Sequence, residues 1–196
     1  MECVSAQELS DFEAEIAELF TQKKIPAVTH LCGEAYEELV DIFKGVHPDD
    51  WVLGTWRSHC HCLLKGVPKA ELKASILAGN SVALSFPKYR VLCSAIVCGS
   101  LPIATGIAMG IQRSGEDSYV HAFLGDMAAE MGIAHECMKY ARGHNLPINF
   151  YIEDNHLSAQ TDTLAAWGLS QSTNYPAFSY TRAKYLHAGA HDWIKF

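Results

Sequence analysis

The sequence predicts an α/β fold in which a mainly parallel sheet lies between two layers of helices. Strand patterns and helix patterns alternate in the second half of the chain, and the first half is dominated by helix patterns. Alternation of this kind favours a parallel sheet with helices on its faces. A chain of 196 residues, 49% of them apolar, can bury one good core, so residues 1–196 are predicted to form a single domain.

Four helices are predicted before the strands of the second half. Residues 6–24 and 33–43 place apolar side chains at spacings of three and four, with acidic residues between them. Residues 68–78 begin at a proline and are followed by a glycine, as helices often are. Residues 102–110 carry small side chains at close spacing, which suits a helix pressed on a sheet. We expect residues 1–45 to be a helical amino-terminal part.

A strand, a helix and a second strand follow. β-Branched and aromatic residues over 118–124 indicate a buried strand that ends at Gly125. Residues 128–141 carry apolar side chains at helical spacing, and a glycine and a proline end that helix. Residues 148–152 indicate the second strand. Two parallel neighbouring strands have their carboxyl ends at the same edge of the sheet, where ligands bind in open α/β folds.

Asp126 and Asn155 follow these two strands and are therefore predicted to meet. Carboxylate, amide and carbonyl oxygens are hard ligands that suit Mg²⁺ or Ca²⁺ when phosphate oxygens and water complete the coordination. The alternative is that Gly125–Asp126 is an ordinary turn and Asp154–Asn155 an ordinary strand end, since both dipeptides favour loops.

Longer motifs favour the metal site. The run Gly-Asp-x-Ala-Ala-x-x-Gly starts at Gly125 and is followed by a helix, Leu-Pro, and a strand that ends in Glu-x-Asn at Asn155. Upstream lie Trp-Arg-Ser-His at 56–59 and an Ile-Val-Cys run at 96–108 with a proline and small residues. In this order, over roughly residues 50–160, they resemble the thiamine diphosphate-dependent (transketolase-like) enzymes, most closely the alpha subunit of the 2-oxoacid (pyruvate) dehydrogenase first component.

The resemblance implies a three-layer α/β/α sandwich of the thiamine diphosphate-binding type, with Mg²⁺ bridging protein and diphosphate. It assigns the metal to Asp126, Asn155 and the backbone carbonyl of Leu157. An arginine suits the diphosphate because its planar fork pairs bidentately with phosphate oxygens. Ala95 and Val97 are implied as backbone contacts only. The expected cofactor-binding residues are Trp56, Arg57, Ala95, Val97, Gly125, Asp126, Met127, Ala128, Asn155 and Leu157.

The cluster His59-Cys60-His61-Cys62 allows two interpretations. Histidine and cysteine are the usual zinc ligands, but in an extended segment alternate residues face opposite sides, so the four cannot converge. By resemblance, His59 points toward the substrate, where it could donate to an oxyanion or shuttle a proton. His59 and His61 are the expected catalytic residues, with simple packing an open alternative for His61. His121 lies in a predicted strand and is expected to be a satisfied core residue.

Two positions close to the expected metal ligands depart from the family pattern. Met127 stands where the family usually has glycine, and a methionine there is costly if the position needs a positive φ. Asp154 replaces the first residue of an Asn-Asn pair and adds negative charge near the phosphates. Both changes are expected to bear on the affinity of the cofactor site.

The resemblance also implies the reaction and a partner. The cofactor's carbanion attacks a carbonyl group, and a fragment leaves as carbon dioxide or an aldehyde. The glutamate that activates the aminopyrimidine belongs to a separate pyrimidine-binding domain, so we expect an alpha-type subunit that acts on a 2-oxoacid with a beta-type partner, as an α2β2 heterotetramer, and is inactive alone. Two alternatives stay open: half of a split transketolase-like ketol transferase or carbon–carbon lyase, and a noncatalytic scaffold subunit that has lost cofactor binding.

Composition narrows the classes of partner. A formal net charge of −7 without a basic run argues against nucleic acid. No window approaches a membrane span and the amino terminus lacks a leader pattern, so we expect a cytoplasmic protein with a small-molecule substrate. The seven cysteines have no framework spacing and are predicted to be reduced thiols. Residues 163–196 are aromatic-rich and are expected to form an irregular tail at a subunit interface.

Overall fold

The computed structural model describes residues 4–168, 175–185 and 187–193. The elements in chain order are α1 Ala6–Thr21, α2 Tyr36–Phe43, β1 Trp51–Gly54, α3 His59–Leu64, α4 Lys69–Leu77, β2 Ser85–Phe86, β3 Val91–Cys93, α5 Ser100–Ser114, β4 Val120–Gly125, α6 Asp126–Ala129, α7 Gly132–Gly143, β5 Ile148–Asp154, β6 Leu157–Ser158, β7 Thr161–Asp162, α8 Thr163–Trp167 and β8 Ala177–Ser179.

One sheet organises the described residues, with strand order β2-β3-β1-β4-β5-β8. Strands β3, β1, β4, β5 and β8 run parallel to one another, and only the short β2 is antiparallel to its neighbour. Strands β6 and β7 form a separate antiparallel hairpin just beyond β5. The predicted mainly parallel sheet and the pairing of the strands on either side of Asp126 are confirmed.

The sheet separates two hydrophobic cores. Val52 and Phe123 face the core formed with α1 to α4, whereas Leu53 and Ala122 face the core formed with α5 and α7. Successive residues of a strand point to opposite faces, so one strand contributes to both cores. The predicted three layers, helices on each side of a sheet, are confirmed.

Helix boundaries follow local signals closely. Helix α1 begins after Ser5, whose hydroxyl accepts the amide hydrogen of Glu8 at 3.3 Å while the Glu8 carboxylate accepts that of Ser5 at 2.9 Å. One predicted helix differs: the range 128–141 is divided between α6, which ends at Ala129, and α7, which begins at Gly132. The division occurs because Met131 takes an extended conformation with φ −78° and ψ 145°. The break leaves Asp126 at the start of a short helix of its own, directly after β4.

The carboxyl-terminal segment is more regular than predicted. Within residues 163–196 the described part contains α8 and β8, and β8 extends the sheet beside β5 through bonds such as Tyr180 N–H to the Asp154 carbonyl at 2.9 Å. A strand of three residues is too short for its periodicity to be seen in the sequence. Residues 169–174, 186 and 194–196 lie outside the described residues. That residues 163–196 lie at a subunit interface stays a prediction.

Two further predictions concern cysteines and membranes. Where the structure describes them, the cysteines are all free thiols, as predicted. None of the helices in the described ranges is both long enough and apolar enough to span a bilayer.

Candidate functional site

A cleft opens at the carboxyl ends of the parallel strands, and each of these strands leads into residues that line it. This is the edge at which ligands bind in open α/β sheets, because loops leave every strand there. The lining residues are Thr55, Trp56 and Arg57 after β1, and Ser94, Ile96, Val97 and Cys98 after β3. They continue with Asp126, Met127 and Ala128 after β4, with Asn155, Leu157, Ser158 and Ala159 after β5, and with Tyr180 and Arg182 after β8.

Asp126 offers an unpartnered carboxylate oxygen to this cleft. The residue is 5% exposed, and its Oδ2 atom is buried without a hydrogen-bond partner. Burial raises the pKa of Asp126, and the nearby Asp154 charge raises it further, although a hydrogen bond from Thr163 opposes both. A buried carboxylate oxygen without a donor is rare in folded proteins, and a cation bound in the cleft would give it a partner.

Asn155 and Leu157 are held beside it by a tight turn. The Asn155 amide donates through Nδ2 to the Tyr180 hydroxyl at 2.9 Å, and its Oδ1 accepts the Leu157 amide hydrogen at 2.9 Å. His156, between them, has a φ of +58°, which folds the chain back over the cleft. The amide oxygen keeps a second lone pair. The three oxygen donors expected for the metal therefore belong to residues that line one cleft, and their role as ligands stays a prediction.

Two buried arginines enter the same cleft. Arg57 is 8% exposed and donates through Nη1 to the Leu31 carbonyl at 2.8 Å; Arg182 is 4% exposed and donates to the Ala159 carbonyl. Burial, and then the charge of Arg182, lowers the pKa of Arg57 to about 10, so the Arg57 guanidinium is charged at neutral pH. Burial also lowers the pKa of Arg182. No carboxylate in the described ranges forms an ion pair with either arginine. Buried charges need partners, so this pair favours an anionic ligand.

Glu153 and His61 lie beneath the cleft. Glu153 lines it with its side chain 8% exposed, and burial raises its pKa to about 8 even though Arg57 opposes that shift. His61 is fully buried, with Nε2 3.5 Å from Glu153 Oε1 and its ring centroid 4.4 Å from that of Phe123. Burial lowers the pKa of His61 to about 3. At neutral pH the pair is therefore a neutral imidazole beside a mostly protonated carboxyl.

His59 does not point toward the cleft, contrary to expectation. Residues 59–64 form helix α3 instead of an extended segment, and the helix turns the His59 ring inward, where Nε2 lies 3.0 Å from Ser81 Oγ. Burial lowers its pKa to about 4. Because neither His59 nor His61 lines the cleft, a direct catalytic role for them stays a prediction without geometric support. The zinc interpretation is wrong, since no three His, Cys, Asp or Glu residues of the described chain converge on a metal position.

The other predicted contacts surround the cleft. Met127 lies within helix α6 without a positive φ, so the strain considered for a methionine at this position does not arise. Its sulfur accepts the indole N–H of Trp167 at 2.7 Å. Val97 lines the cleft, and Ala95 lines an adjoining hollow that shares Trp56 and Arg57 with it.

Cys98, in contrast, does adopt a positive φ of +59°. In the enzymes that the motifs of this sequence resemble, the run matched by Ile96-Val97-Cys98 reads Ile-Val-Gly, so a glycine stands where this chain has Cys98. Its thiol donates to the Ala128 carbonyl at 3.2 Å, which ties the loop after β3 to helix α6. The departure from glycine that carries backbone strain is therefore at Cys98 and not at Met127.

Sequence reasoning missed three residues that complete the site. Tyr180 and Arg182 follow β8, and Glu153 belongs to the strand end whose neighbours Asp154 and Asn155 attracted attention. A carboxylate inside β5, directly after Phe150-Tyr151-Ile152, was a visible signal for Glu153. Nothing local marks Arg182, because it reaches the cleft only through the pairing of β8 with β5. His121 is, as predicted, a satisfied core residue: Nε2 lies 3.1 Å from Asp50 Oδ2.

Known proteins resemble this chain along most of its length. The family pattern described as the dehydrogenase E1 component matches residues 5–178. The alpha subunit of acetoin:2,6-dichlorophenolindophenol oxidoreductase from Bacillus subtilis is 28% identical over 158 residues, which are 76% of this chain and 47% of that protein. Pyruvate dehydrogenase E1 component subunit alpha is 26% identical in both Porphyra purpurea and Macaca fascicularis, over 74% and 86% of this chain and 47% and 45% of those proteins. The chain spans about half the length of these relatives.

Proposed function

The chain belongs to the dehydrogenase E1 component family, and we propose that it is an alpha-type subunit that binds thiamine diphosphate through Mg²⁺ and acts on a 2-oxoacid. One observation carries this proposal: a buried, unpartnered oxygen of Asp126 shares a cleft with two buried arginines, Arg57 and Arg182, that have no carboxylate partner among the described residues. The first feature suits a metal cation and the second suits phosphate. A metal diphosphate satisfies both at once.

The residues of the cleft fit such a group. Asp126, Asn155 and the carbonyl of Leu157 would hold Mg²⁺, which prefers oxygen ligands and shares its remaining positions with phosphate and water. Arg57 and Arg182 would hold the phosphate oxygens. The Asp154 carboxylate is engaged by the next residue but one, because its Oδ1 accepts the His156 amide hydrogen at 2.9 Å and lies 3.1 Å from Nδ1 of the His156 ring.

The chain's own contribution is binding and orientation. When bound, thiamine diphosphate supplies a nucleophilic carbon that adds to a carbonyl group and then accepts the electrons of the carbon–carbon bond that breaks. The arginines and the metal ligands fix the diphosphate end. Glu153, with a pKa of about 8, stays mostly protonated at neutral pH and so does not repel an anion in the cleft. Nothing in the described cleft replaces the activating glutamate that the family takes from a pyrimidine-binding domain.

A beta-type partner that carries this domain is therefore part of the proposal, in an α2β2 assembly. Exposed apolar side chains support it: Ile96, which lines the cleft, is 75% exposed, and in helix α8 Leu164 is 58% and Trp167 51% exposed. Trp167 also contacts Met127 of the cleft. Large apolar side chains exposed together usually mark a surface that another chain covers.

Isothermal titration calorimetry tests the proposal. Thiamine diphosphate is titrated, with and without Mg²⁺, into the chain alone and into the chain with its beta-type partner. We expect metal-dependent binding that Asp126→Ala abolishes while the fold is retained, because Asp126 stands at the start of a four-residue helix and not within the core. Asp117→Asn, an exposed loop change, is the matched control. If Asp126→Ala leaves the affinity unchanged, the metal assignment is wrong.

A noncatalytic scaffold is the second candidate function. The Met127 side chain lines the cleft where the family usually has glycine, and its sulfur is engaged by Trp167 at 2.7 Å. If this side chain fills the place of the diphosphate, neither the chain nor its complex will bind thiamine diphosphate in the same titrations. That result would select the scaffold.

A further inference from the structure

We infer that Glu13 is a positioning residue that sets the place of both cleft arginines through the loop of residues 31–34. The inference rests on the proposed function, because it concerns the arginines that would hold the diphosphate. Glu13 lies on helix α1, outside the cleft and outside every motif of the sequence. Its connection to the cleft follows from a chain of hydrogen bonds.

The Glu13 carboxylate is fully buried and accepts three hydrogen bonds, two from the loop of residues 31–34 and one from the first residue of helix α2. Its Oε1 accepts the Cys32 amide hydrogen at 2.7 Å, and its Oε2 accepts the Gly33 amide hydrogen and the Tyr36 hydroxyl, each at 2.9 Å. Burial raises the pKa of Glu13, whereas these three hydrogen bonds lower it. A carboxylate with three donors in a dry environment is a rigid anchor, since each bond is strong and directional there.

Arg57 is attached to the other side of the same peptide group. The Cys32 N–H that Glu13 accepts and the Leu31 carbonyl that accepts Arg57 Nη1 at 2.8 Å belong to the single peptide unit between Leu31 and Cys32. That unit is planar, so fixing its N–H fixes the direction of its C=O. The carboxylate also polarises the peptide and strengthens its carbonyl as an acceptor. Glu13 thereby fixes the position of the Arg57 guanidinium from the opposite side of the loop.

Arg182 depends on the next two residues of the loop. Gly33 has a φ of +95°, and a side-chain carbon there would lie 3.3 Å from the Lys184 carbonyl oxygen and 3.4 Å from Arg182 Cγ. The following Glu34 carboxylate accepts the Ala183 amide hydrogen at 2.8 Å. The segment that carries Arg182 therefore rests on the same loop that Glu13 anchors.

Glu13→Gln tests whether Glu13 positions Arg57. The amide keeps the size of the side chain but presents N–H donors to one of the backbone N–H groups. Mg²⁺ with inorganic pyrophosphate, and Mg²⁺ with thiamine diphosphate, are titrated into wild type, Glu13→Gln, Arg57→Ala and the double variant. We expect about tenfold weaker binding for Glu13→Gln and no further loss when it is added to Arg57→Ala, because the two residues act in series. Glu18→Gln, an exposed change on the same helix, should bind as wild type does.

A merely structural Glu13 gives a different pattern. Its substitution would lower thermal stability without changing affinity, or would weaken binding by the same factor in the wild-type and Arg57→Ala backgrounds; either result overturns the inference. If the wild-type chain, alone and with its partner, binds neither probe, the proposed function fails first.

The dependence of Arg182 on the loop is tested by a second double-mutant cycle, with Glu34→Ala and Arg182→Ala. This cycle also tests the inference if Glu13→Gln does not fold. Glu34→Ala removes the bond to the Ala183 amide from a carboxylate near the surface. We expect it to weaken pyrophosphate binding several-fold in the wild-type background and not in Arg182→Ala. Equal losses in the two backgrounds would show that the loop does not place Arg182, and the inference would be wrong.

Discussion

Replacement of Glu153 by glutamine should remove a loss of stability that the wild-type chain shows as the pH rises from 6.5 to 8. Burial raises the pKa of this carboxyl from 4.5 to about 8. A group whose folded pKa lies above its unfolded value stabilises the fold fully below the unfolded pKa, and that contribution is lost as the pH rises to the folded pKa. Glutamine imitates the protonated form at every pH.

The magnitude follows from the width of the pH window. Each pH unit over which the folded chain keeps a proton that the unfolded chain has lost costs about 1.4 kcal/mol. Below pH 6.5 the buried His59 and His61 act in the opposite sense, because their pKa values are lowered from 6.5 to about 4 and about 3 and the unfolded chain takes up protons there. Above pH 6.5 their contribution fades, and it is common to wild type and Glu153→Gln, so the difference between the two proteins from pH 6.5 to 8 is about 2 kcal/mol for Glu153.

Urea unfolding at constant ionic strength measures this difference. The free energy of unfolding of the wild type should fall by about 2 kcal/mol across the window relative to Glu153→Gln. Glu13, whose pKa burial also raises, adds the same slope to both proteins and cancels. Glu37→Gln, an exposed change, should follow the wild type. Parallel curves for wild type and Glu153→Gln would refute the reasoning.

Three further outcomes follow from the cleft. Arg57→Ala should weaken pyrophosphate binding by calorimetry about tenfold or more while subunit assembly by sedimentation stays unchanged; a changed assembly would assign Arg57 to the interface. Met127→Gly should lower thermal stability by about 1 kcal/mol, because no positive φ is relieved in helix α6, and a rise would contradict this. At Cys98, with φ +59°, valine should destabilise by about 1–2 kcal/mol relative to cysteine while glycine should not; the reverse order in thermal unfolding would exclude backbone strain there.

The part of the fold that the sequence predicts is the part with regular periodicity. The strands before Gly125 and Asp154 are long apolar runs on either side of a helix, so their parallel pairing follows from general rules of connection. The interruption at Met131 could not be foreseen, since the residues before and after it carry the same helical spacing. The strand β8 could not be foreseen either, because three residues hold no period and it is the sheet edge that makes them a strand.

The residues of the site also fall into a group that local sequence predicts and a group that it does not. Asp126 and Asn155 were predictable because each directly follows a strand end, so local sequence places them, whereas Leu157 was expected only from the family resemblance. Arg182 and Glu13 were not, because their positions depend on contacts with residues far away in the sequence. His59 was misplaced because its direction depends on whether residues 59–64 are extended or helical, and a histidine–cysteine alternation does not distinguish these.

The charges of the cleft favour the proposed binding of a metal and a diphosphate together over the binding of either one alone. Arg57 and Arg182 share the cleft with Asp126, and Glu153, with a pKa of about 8, adds little charge at neutral pH. A diphosphate alone would face the Asp126 carboxylate, and a dication alone would face the two arginines. Bound together they nearly neutralise each other, and each then faces the residues of opposite charge. The protonated state of Glu153 is part of this balance, since an ionised carboxylate there would compete with the diphosphate for Arg57.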